Sequence, residues 1–448
     1  MLERLLKALR PAPPRQRPVP PDTSVEVARG LVLGGQAAAA RGVLEQRLAA
    51  QPDDADALAL LGWVLYDQGD SAAARARLDR ALHLRPHHVE ALNALGALES
   101  DNPDPEASIG WYRAALRADP GNAGAQYNLA QRLFFKGEYA EGFRLFAARH
   151  RLHHGRDNPL HPLPCWQGEA LDGKTAFVWC DWGGLGDHLM FARYIEAFRE
   201  RARPARLIVG AQAACARLFS NLPGVDQVTE PGVVPGVDVH CPLLDLPGHF
   251  GVGEDAVPAR LPQFPLFPYL RPPANLVPVW RQRLDALGLS AGAAAIGIVM
   301  GNDQRGPSAA HDRARLDKQV PAAAFSALAG VAAVFVNLMP GMRNEDIAAT
   351  GLQMVDSMAD VADFADTAAI IDALDVVVSA DTSVAHLAGA MGKPVILLLR
   401  HASGMFWPRA GEATAWYPSM CVLRQEADGD WGPALAAAGA RLSLRYSR

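Results

Sequence analysis

Proline recurs at a fixed interval in the first third of the chain, and this interval constrains the fold more than any other feature. Pro52, Pro86 and Pro120 each end a stretch with helical periodicity, and each lies 34 residues from the next. A repeat of this length is typical of stacked helix pairs, in which each unit buries its apolar side against its neighbours. The interval therefore predicts an all-helical array in this part of the chain.

The repeat that ends at Pro86 has the small and large residues of a tetratricopeptide repeat, namely Leu58, Leu61, Gly62, Leu65, Ala74, Leu78 and Ala81. The next repeat has Ser108 where alanine is usual, and the outermost repeats match less well, as expected of units with a single neighbour. We predict three to four repeats over residues 23–155. They either brace the following domain or bind a partner peptide on their concave face, and the sequence favours neither.

Charge and composition exclude several classes of protein. The chain has 448 residues, of which 50% are hydrophobic and 20% charged, so we expect two or three soluble domains. A net charge of −5 gives no support to nucleic-acid binding, and no segment reaches membrane-spanning length. The five cysteines are widely spaced, without the pattern of a zinc site or a disulfide framework, which favours a cytoplasmic location. Residues 1–22 are rich in proline and arginine and predict a flexible segment.

Beyond the repeats, short apolar runs alternate with amphipathic stretches. The runs typical of buried strands are KTAFVWC, RLIVG, AIGIVM, VAAVFVNL, DVVVSA and KPVILLL. Alternating strands and helices predict parallel sheets with right-handed crossovers. A proline-rich stretch interrupts the alternation, so we predict two Rossmann-like lobes, over residues 165–275 and 276–448. Ligands of such sheets bind at the carboxyl ends of the strands, which directs attention to the loops there.

The first such loop, WCDWGGLGDHLMFARY, has glycines at Gly184 and Gly186 just before a helix that begins near Asp187. Glycine lets the backbone approach a ligand closely. Any tight strand-to-helix turn also favours glycine, and an aspartate at a helix start is ordinarily a cap. On local pattern alone the capping interpretation is favoured.

The second loop, VVVSADTSVAHLAGAMGKP, brings Asp381, Thr382 and Ser383 to the start of a helix that carries His386 in its first turn. Free backbone N–H groups and the helix dipole can hold a diphosphate at such a position. The alternative is that Asp381 or Thr382 caps the helix while His386 packs inside. Two capping residues and a histidine exceed what a cap requires, which favours a ligand site.

The third loop follows AIGIVM and reads GNDQRGPSAAHDRARLDKQ, with Asn302 at its start and Arg313, Arg315 and Lys318 further along. Arginine suits phosphate because its planar fork donates parallel hydrogen bonds. A charged run is usually a solvated surface loop, but a position at a strand end favours a role in neutralising a leaving phosphate.

Together these blocks resemble bacterial tetratricopeptide proteins whose C-terminal part is similar to glycosyltransferase family 9, the heptosyltransferase family, of GT-B fold. The resemblance spans nearly the whole chain and is carried by GEYAEGFRLFAARHRL, PCWQGEALDGK, GLGDHLMFARY, FADTAAIIDALDVVVSADTSVAHLAGAMGKPV and WYPSMCVLRQEADGDW. It implies an α-helical tetratricopeptide array followed by an α/β GT-B fold of two Rossmann-like lobes, and an inverting, metal-independent glycosyltransferase without a cofactor.

The resemblance also implies roles for individual residues. Asp187 becomes the catalytic base, supported by His188. The donor diphosphate lies near Asp381, Thr382, Ser383 and His386, with Arg313 and Arg315 in the basic loop. The substrate is lined by Gly184, Gly186, Asn302, Trp407 and Arg409. Departures from the family pattern occur at Met300, Leu316 and Trp407.

The resemblance finally implies a nucleotide-sugar donor and a protein acceptor held by the repeats. Relatives with this layout include flagellin glycosyltransferases that use a nonulosonic acid from a cytidine monophosphate sugar, which makes flagellin the first candidate acceptor. Two alternatives remain, an inactive transferase-like scaffold for protein interaction and a transferase that acts on lipopolysaccharide or another glycan.

Overall fold

The computed structural model describes residues 21–101, 104–153, 163–180, 183–232, 234–250, 267–289, 292, 294–301, 318–401, 406–407 and 410–446. The chain divides into two compact units, Met1–Leu129 and Ala130–Arg448. Asn302, Arg313, Arg315 and Arg409, which were singled out above, lie outside the described residues. Within the described part of the chain, no helix is long and apolar enough to cross a membrane.

Helices arranged in consecutive antiparallel pairs form the first unit and continue into the second. Their bounds are α1 Pro21–Leu33, α2 Ala37–Ala50, α3 Ala55–Asp67, α4 Ser71–Leu84, α5 Val89–Leu98, α6 Glu106–Ala118, α7 Ala123–Lys136, α8 Tyr139–Phe146 and α9 Arg149–His153. Each of the three periodic prolines lies in the turn just after a helix ends. The next helix then begins with a capping side chain, from Asp54, His88 and Asn122 in turn.

Close helix contacts explain the glycines of the repeats. A Cβ atom at Gly62 of α3 would lie 2.6 Å from the side chain of Leu78 in α4. Gly96 of α5 is covered in the same way by the ring of Tyr112 in α6, and Gly142 of α8 by Phe134. The small and large residues thus alternate across each helix pair, which is the packing that the repeat pattern predicts.

The first lobe of the second unit is a parallel sheet in the order β3-β2-β1-β4. Its elements are β1 Thr175–Trp179, α10 Leu185–Phe191, α11 Arg193–Ala202, β2 Arg206–Gly210, α12 Ala213–Phe219, β3 Gln227–Thr229, β4 Val239–Pro242 and α13 Leu246–His249. The stretch GDHLMFARYIEAFRER forms two consecutive helices, α10 and α11, which are separated by a turn at Ala192.

The second lobe is a six-stranded parallel sheet in the order β10-β9-β8-β5-β6-β7. Its elements are α14 Leu276–Ala286, β5 Ala294–Val299, β6 Ala333–Asn337, α15 Asn344–Thr350, β7 Met354–Asp356, α16 Phe364–Asp372, β8 Val376–Ala380, α17 Ser383–Ala390, β9 Val395–Leu399, β10 Met420–Arg424 and α18 Gly432–Arg445. The strand order reverses between β5 and β8, and the crevice at such a reversal is where open parallel sheets bind ligands.

The predicted fold class is confirmed, since a helical repeat array precedes two parallel α/β sheets. All six apolar runs that we predicted as strands form strands, β1, β2, β5, β6, β8 and β9. Each is almost fully buried, as expected of strands covered by helices on both faces.

Candidate active site

A cavity of about 350 Å³ lies between the two lobes. Leu185 and Ala214 line it from the first lobe, and the carboxyl ends of β5, β6 and β8 line it from the second. Thr382 and Ser383 lie on its wall. Its size is in the range of small-molecule sites, and its place at the strand ends matches the expected location. A larger cavity, of about 540 Å³, lies at the amino ends of β5 and β8, away from these loops.

Asp187 lies in the first turn of α10, directly after the glycine turn. Its Oδ2 atom accepts the backbone N–H of Gly184 at 2.7 Å, so the carboxylate does act as a helix cap. A Cβ atom at Gly183, whose φ is +92°, would lie 2.7 Å from the same oxygen, which explains the glycine there. The capping interpretation is thus correct as far as Oδ2 is concerned.

Burial raises the pKa of Asp187 to about 6, although the N–H of Gly184 opposes the shift. The negative charge of Asp381 raises the pKa further and the Lys318 ammonium lowers it. The side chain lies deep among protein atoms, yet part of its surface remains open to solvent. A carboxylate with this pKa is ionised at neutral pH and basic enough to accept a proton.

The two lobes meet beside this carboxylate. Gly186 packs so closely against the ring of His386 that a Cβ atom at this position would lie 2.7 Å from His386 Cδ2. His386 Nδ1 lies 2.9 Å from the hydroxyl of Tyr417, and the imidazole stacks on Trp407 with ring centroids 5.0 Å apart. Burial lowers the pKa of His386 to about 4, so the ring is neutral at physiological pH.

Asp381 does not cap the helix that follows it. Its Oδ2 accepts Lys318 Nζ at 2.8 Å and its Oδ1 accepts Trp407 Nε1 at 2.9 Å. Although burial opposes it, the Lys318 ammonium holds the pKa of Asp381 below its usual range. Asp381 therefore carries a negative charge at neutral pH that Lys318 neutralises.

Thr382 does not cap the helix either, because its hydroxyl lies 3.1 Å from Ser379 Oγ. No side chain among the described residues caps the start of α17. The alternative that Asp381 or Thr382 merely caps the helix is therefore not supported, although His386 is buried, as that alternative states. The start of α17, whose first backbone N–H groups receive no side-chain cap from the described residues, lines the cavity through Thr382, Ser383 and Val384. Such N–H groups are suited to an anionic ligand.

The remaining predicted residues fall into two groups. His188 is 1% exposed and Trp407 2% exposed, so both belong to the interior of their lobes, and Trp407 contacts Asp381 and His386. Gly184, in contrast, is exposed at the mouth of the turn. Trp416 is fully buried and packs edge to face on Phe191 and Phe406, as expected of a core aromatic residue.

Two cations lie near this cavity. Lys318, which belongs to the basic stretch after AIGIVM singled out above, binds Asp381. Arg217 was not predicted from the sequence. Arg217, on α12, binds carboxylates of the second lobe, and nothing in the local sequence indicated such a distant partner.

Comparisons with known proteins agree with this architecture. The family model "Tetratricopeptide repeat" matches residues 28–76 and 60–123, and "Glycosyltransferase family 9 (heptosyltransferase)" matches residues 315–427. Protein FlbA of Caulobacter vibrioides is 27% identical over 417 residues, which are 88% of this chain and 68% of that protein.

Two solved structures are similar at low TM-scores. The glycosyl transferase family 9 protein from Veillonella parvula has a TM-score of 0.44 at 11% identity, covering 63% of this chain and 98% of its own. A mutant Thermobaculum terrenum O-GlcNAc transferase has a TM-score of 0.34 at 15% identity, covering 96% and 93%. The two domain types are therefore assigned from the two family models and not from these structures.

Proposed function

The chain carries tetratricopeptide repeats followed by a glycosyltransferase family 9 domain, and on that premise we propose that it transfers a sugar from a nucleotide sugar to a hydroxyl of a protein acceptor. Asp187 is the proposed catalytic base. The start of α17, with Thr382 and Ser383, is the proposed site of the donor phosphates.

One observation carries this proposal. A carboxylate whose pKa is raised to about 6 lies on the first lobe, beside the contact of Gly186 with His386. Across that contact lies an uncapped helix start on the wall of a cavity of about 350 Å³. A proton acceptor and an anion-binding helix start are the two groups that transfer from a sugar phosphate requires on opposite sides of the reacting carbon.

The proposed reaction is a single displacement. Asp187 takes the proton of the acceptor hydroxyl as its oxygen attacks the anomeric carbon, and the bond from that carbon to the donor phosphate oxygen breaks. The configuration at the carbon inverts. The N–H groups of α17 stabilise the charge on the departing phosphate. We further propose that the transfer needs no metal ion. The rate of transfer should then be the same with a chelator and with added Mg²⁺.

Asp187→Asn tests the base. We expect transfer to fall about 10²- to 10⁴-fold, because the amide keeps the shape and the cap but cannot accept a proton. Asp172→Asn is the matched control, since Asp172 is an exposed carboxylate of the same lobe paired with Arg203. Equal turnover of the Asp187→Asn variant and the native protein would overturn the assignment.

The proposed acceptor site is a groove of about 210 Å³ in the first unit. Residues of α1, α3 and α5 line it, including Leu60, Trp63 and Asn93. Asn128 Nδ2 donates to Asn93 Oδ1 at 3.1 Å. Amide side chains can pair with the backbone of an extended peptide, and Trp63 offers an apolar contact for one of its side chains.

Trp63→Ala combined with Asn93→Ala tests the groove. We expect loss of transfer to protein while slow hydrolysis of the nucleotide sugar by water continues, because the transferase site is untouched. Arg77→Ala, an exposed position of α4 outside the groove, is the control. Equal transfer to protein by the groove variant would contradict a role for the repeats in acceptor binding.

Donor and acceptor are proposed from the resemblance alone. The first pair to test is a cytidine monophosphate-linked nonulosonic acid with flagellin, in the cytoplasm of a bacterial host. Co-expression followed by intact-mass measurement would give both the acceptor and the mass of the added sugar. Nucleotide-dependent thermal stabilisation separates the enzyme from an inactive scaffold, which would show no shift with any common nucleoside mono- or diphosphate.

A further inference from the structure

Arg217 joins the two lobes through an ionic contact at the edge of the interlobe cavity. The side chain extends from α12 of the first lobe, and its Nε donates to Asp363 Oδ2 at 2.6 Å. Its Nη2 donates to Asp363 Oδ1 at 2.8 Å and to Asp366 Oδ2 at 2.7 Å. One guanidinium thus binds two carboxylates at the start of α16. Ala214, on the same helix as Arg217, and Asp363 both line the cavity.

The carboxylates are held in place by their own lobe. Asp363 Oδ1 accepts Ala365 N at 2.8 Å, and Asp366 Oδ2 accepts Ala362 N at 3.1 Å. Asp366 Oδ1 accepts Trp280 Nε1 at 2.9 Å. We call this pair of carboxylates, Asp363 and Asp366, the socket. These hydrogen bonds come from the second lobe, so the position of the socket does not depend on Arg217 alone.

Arg217 itself is suited to a contact that forms and breaks. Its side chain is 47% exposed, whereas the two side chains of the socket are 12% and 9% exposed. The fork geometry makes the bound state specific, and release requires water to replace the guanidinium at both carboxylates. A second interlobe contact differs in kind. Arg193, 3% exposed, donates to Trp416 O at 2.9 Å and to the Tyr269 hydroxyl at 3.0 Å, and lies over four aromatic rings. Such a buried cation cannot leave its partners without a large penalty.

We propose that Arg217 is a positioning residue that latches the two lobes over the donor cavity, releasing the socket when the cleft opens and refilling it when the cleft closes, while the Arg193 contact stays formed. The inference rests on the proposed function, in which the cavity holds the donor. Arg217 touches no reacting atom in this scheme. It holds α12 of the first lobe against the start of α16 of the second lobe.

Hydrogen exchange of the full chain tests the latch without any substrate. In Arg217→Asp we expect faster exchange in α12 and in the first turn of α16, with the repeat helices α3–α6 unchanged as an internal standard. Arg217→Lys keeps the charge without the fork and should be intermediate. Arg203→Asp is the matched control, because Arg203 makes a two-pronged ion pair with Asp172 inside the first lobe. Addition of ~0.5 M NaCl should speed exchange at α12 and α16 in the native protein but not in Arg217→Asp.

Kinetics supply the second readout. We expect KM for the nucleotide sugar to rise roughly tenfold in Arg217→Asp with a smaller change in kcat, because an open cleft loses donor affinity. Unchanged exchange at both helices in Arg217→Asp would overturn the latch, whatever the activity. Faster exchange in a chain that binds no nucleotide would uphold the latch and refute the proposed donor site, so the two failures are distinguishable.

Discussion

In Asp187, a capping role and the proposed catalytic role belong to one carboxylate. One oxygen accepts the N–H of Gly184 at 2.7 Å, which on its own would lower the pKa. Burial outweighs that hydrogen bond and raises the pKa to about 6. The cap fixes the position of the side chain, and the environment makes it a better base.

The pH dependence of transfer should report this environment. The proposed base must be ionised, so kcat/KM should fall below pH 6, near the raised pKa of Asp187. Lys318 lowers that pKa, so Lys318→Met should move the acidic limb of the profile to higher pH. A pH profile of kcat/KM for both proteins checks this. An acidic limb at the same pH in Lys318→Met and in the native protein would exclude an effect of Lys318 on the pKa of Asp187.

The same shift predicts a pH-dependent change in stability. A carboxyl whose pKa is raised on folding is protonated in both states at low pH, and it destabilises the fold as pH rises through the folded value of about 6. Asp187→Asn should therefore melt at the same temperature as the native protein near pH 3.5 and higher above pH 6. The gain in the free energy of unfolding should stay below about 3 kcal/mol, because part of the Asp187 side chain is solvated. Equal melting temperatures of the variant and the native protein at pH 8 would show that the ionised Asp187 side chain does not destabilise the fold.

At the scale of elements, the contact between α10 and α17 depends on a glycine. A Cβ atom at Gly186 would meet His386 at 2.7 Å, whereas one at Gly184 would find its nearest neighbour at 3.8 Å. Gly186→Ala should cost about 1–3 kcal/mol by overpacking and weaken donor binding, because α10 must move away from α17. Gly248→Ala is the matched control, because Gly248 is an exposed position of α13 in the same lobe where a Cβ atom would meet nothing within 4 Å. Calorimetry and nucleotide titration of both variants check this, and equal affinities would refute the prediction.

At the scale of the whole molecule, the two units should respond to different perturbations. Gly62→Ala should destabilise the repeats, since the added Cβ would lie 2.6 Å from Leu78. Gly110→Ala, an exposed position with nothing within 4 Å, should stabilise its helix by about 1 kcal/mol. Nucleotide at 100 times its Kd should stabilise only the second unit, by about 2.7 kcal/mol. Hydrogen exchange during thermal unfolding would measure the stability of each unit separately. Protection of the repeat helices by nucleotide would contradict this division.

The fold was largely predictable because its signals are local and repeated. A 34-residue interval and a small residue at each helix crossing specify stacked helix pairs, and six apolar runs specify buried parallel strands. The strands β3, β4, β7 and β10 were not predicted. Their three to five residues carry too little periodicity to be recognised.

The loops that bear Asp187 and Asp381 could also be chosen from sequence, because parallel strands present their ends on one side of a sheet. The contacts of those residues could not be predicted from the sequence. Only the tertiary structure assigns Lys318 and Trp407 to Asp381, stacks His386 on Trp407 beside Gly186, and joins Arg217 to a socket 146 residues away. Periodicity determines which face of an element is buried, whereas charge pairing and pKa depend on distances between elements that no local pattern encodes.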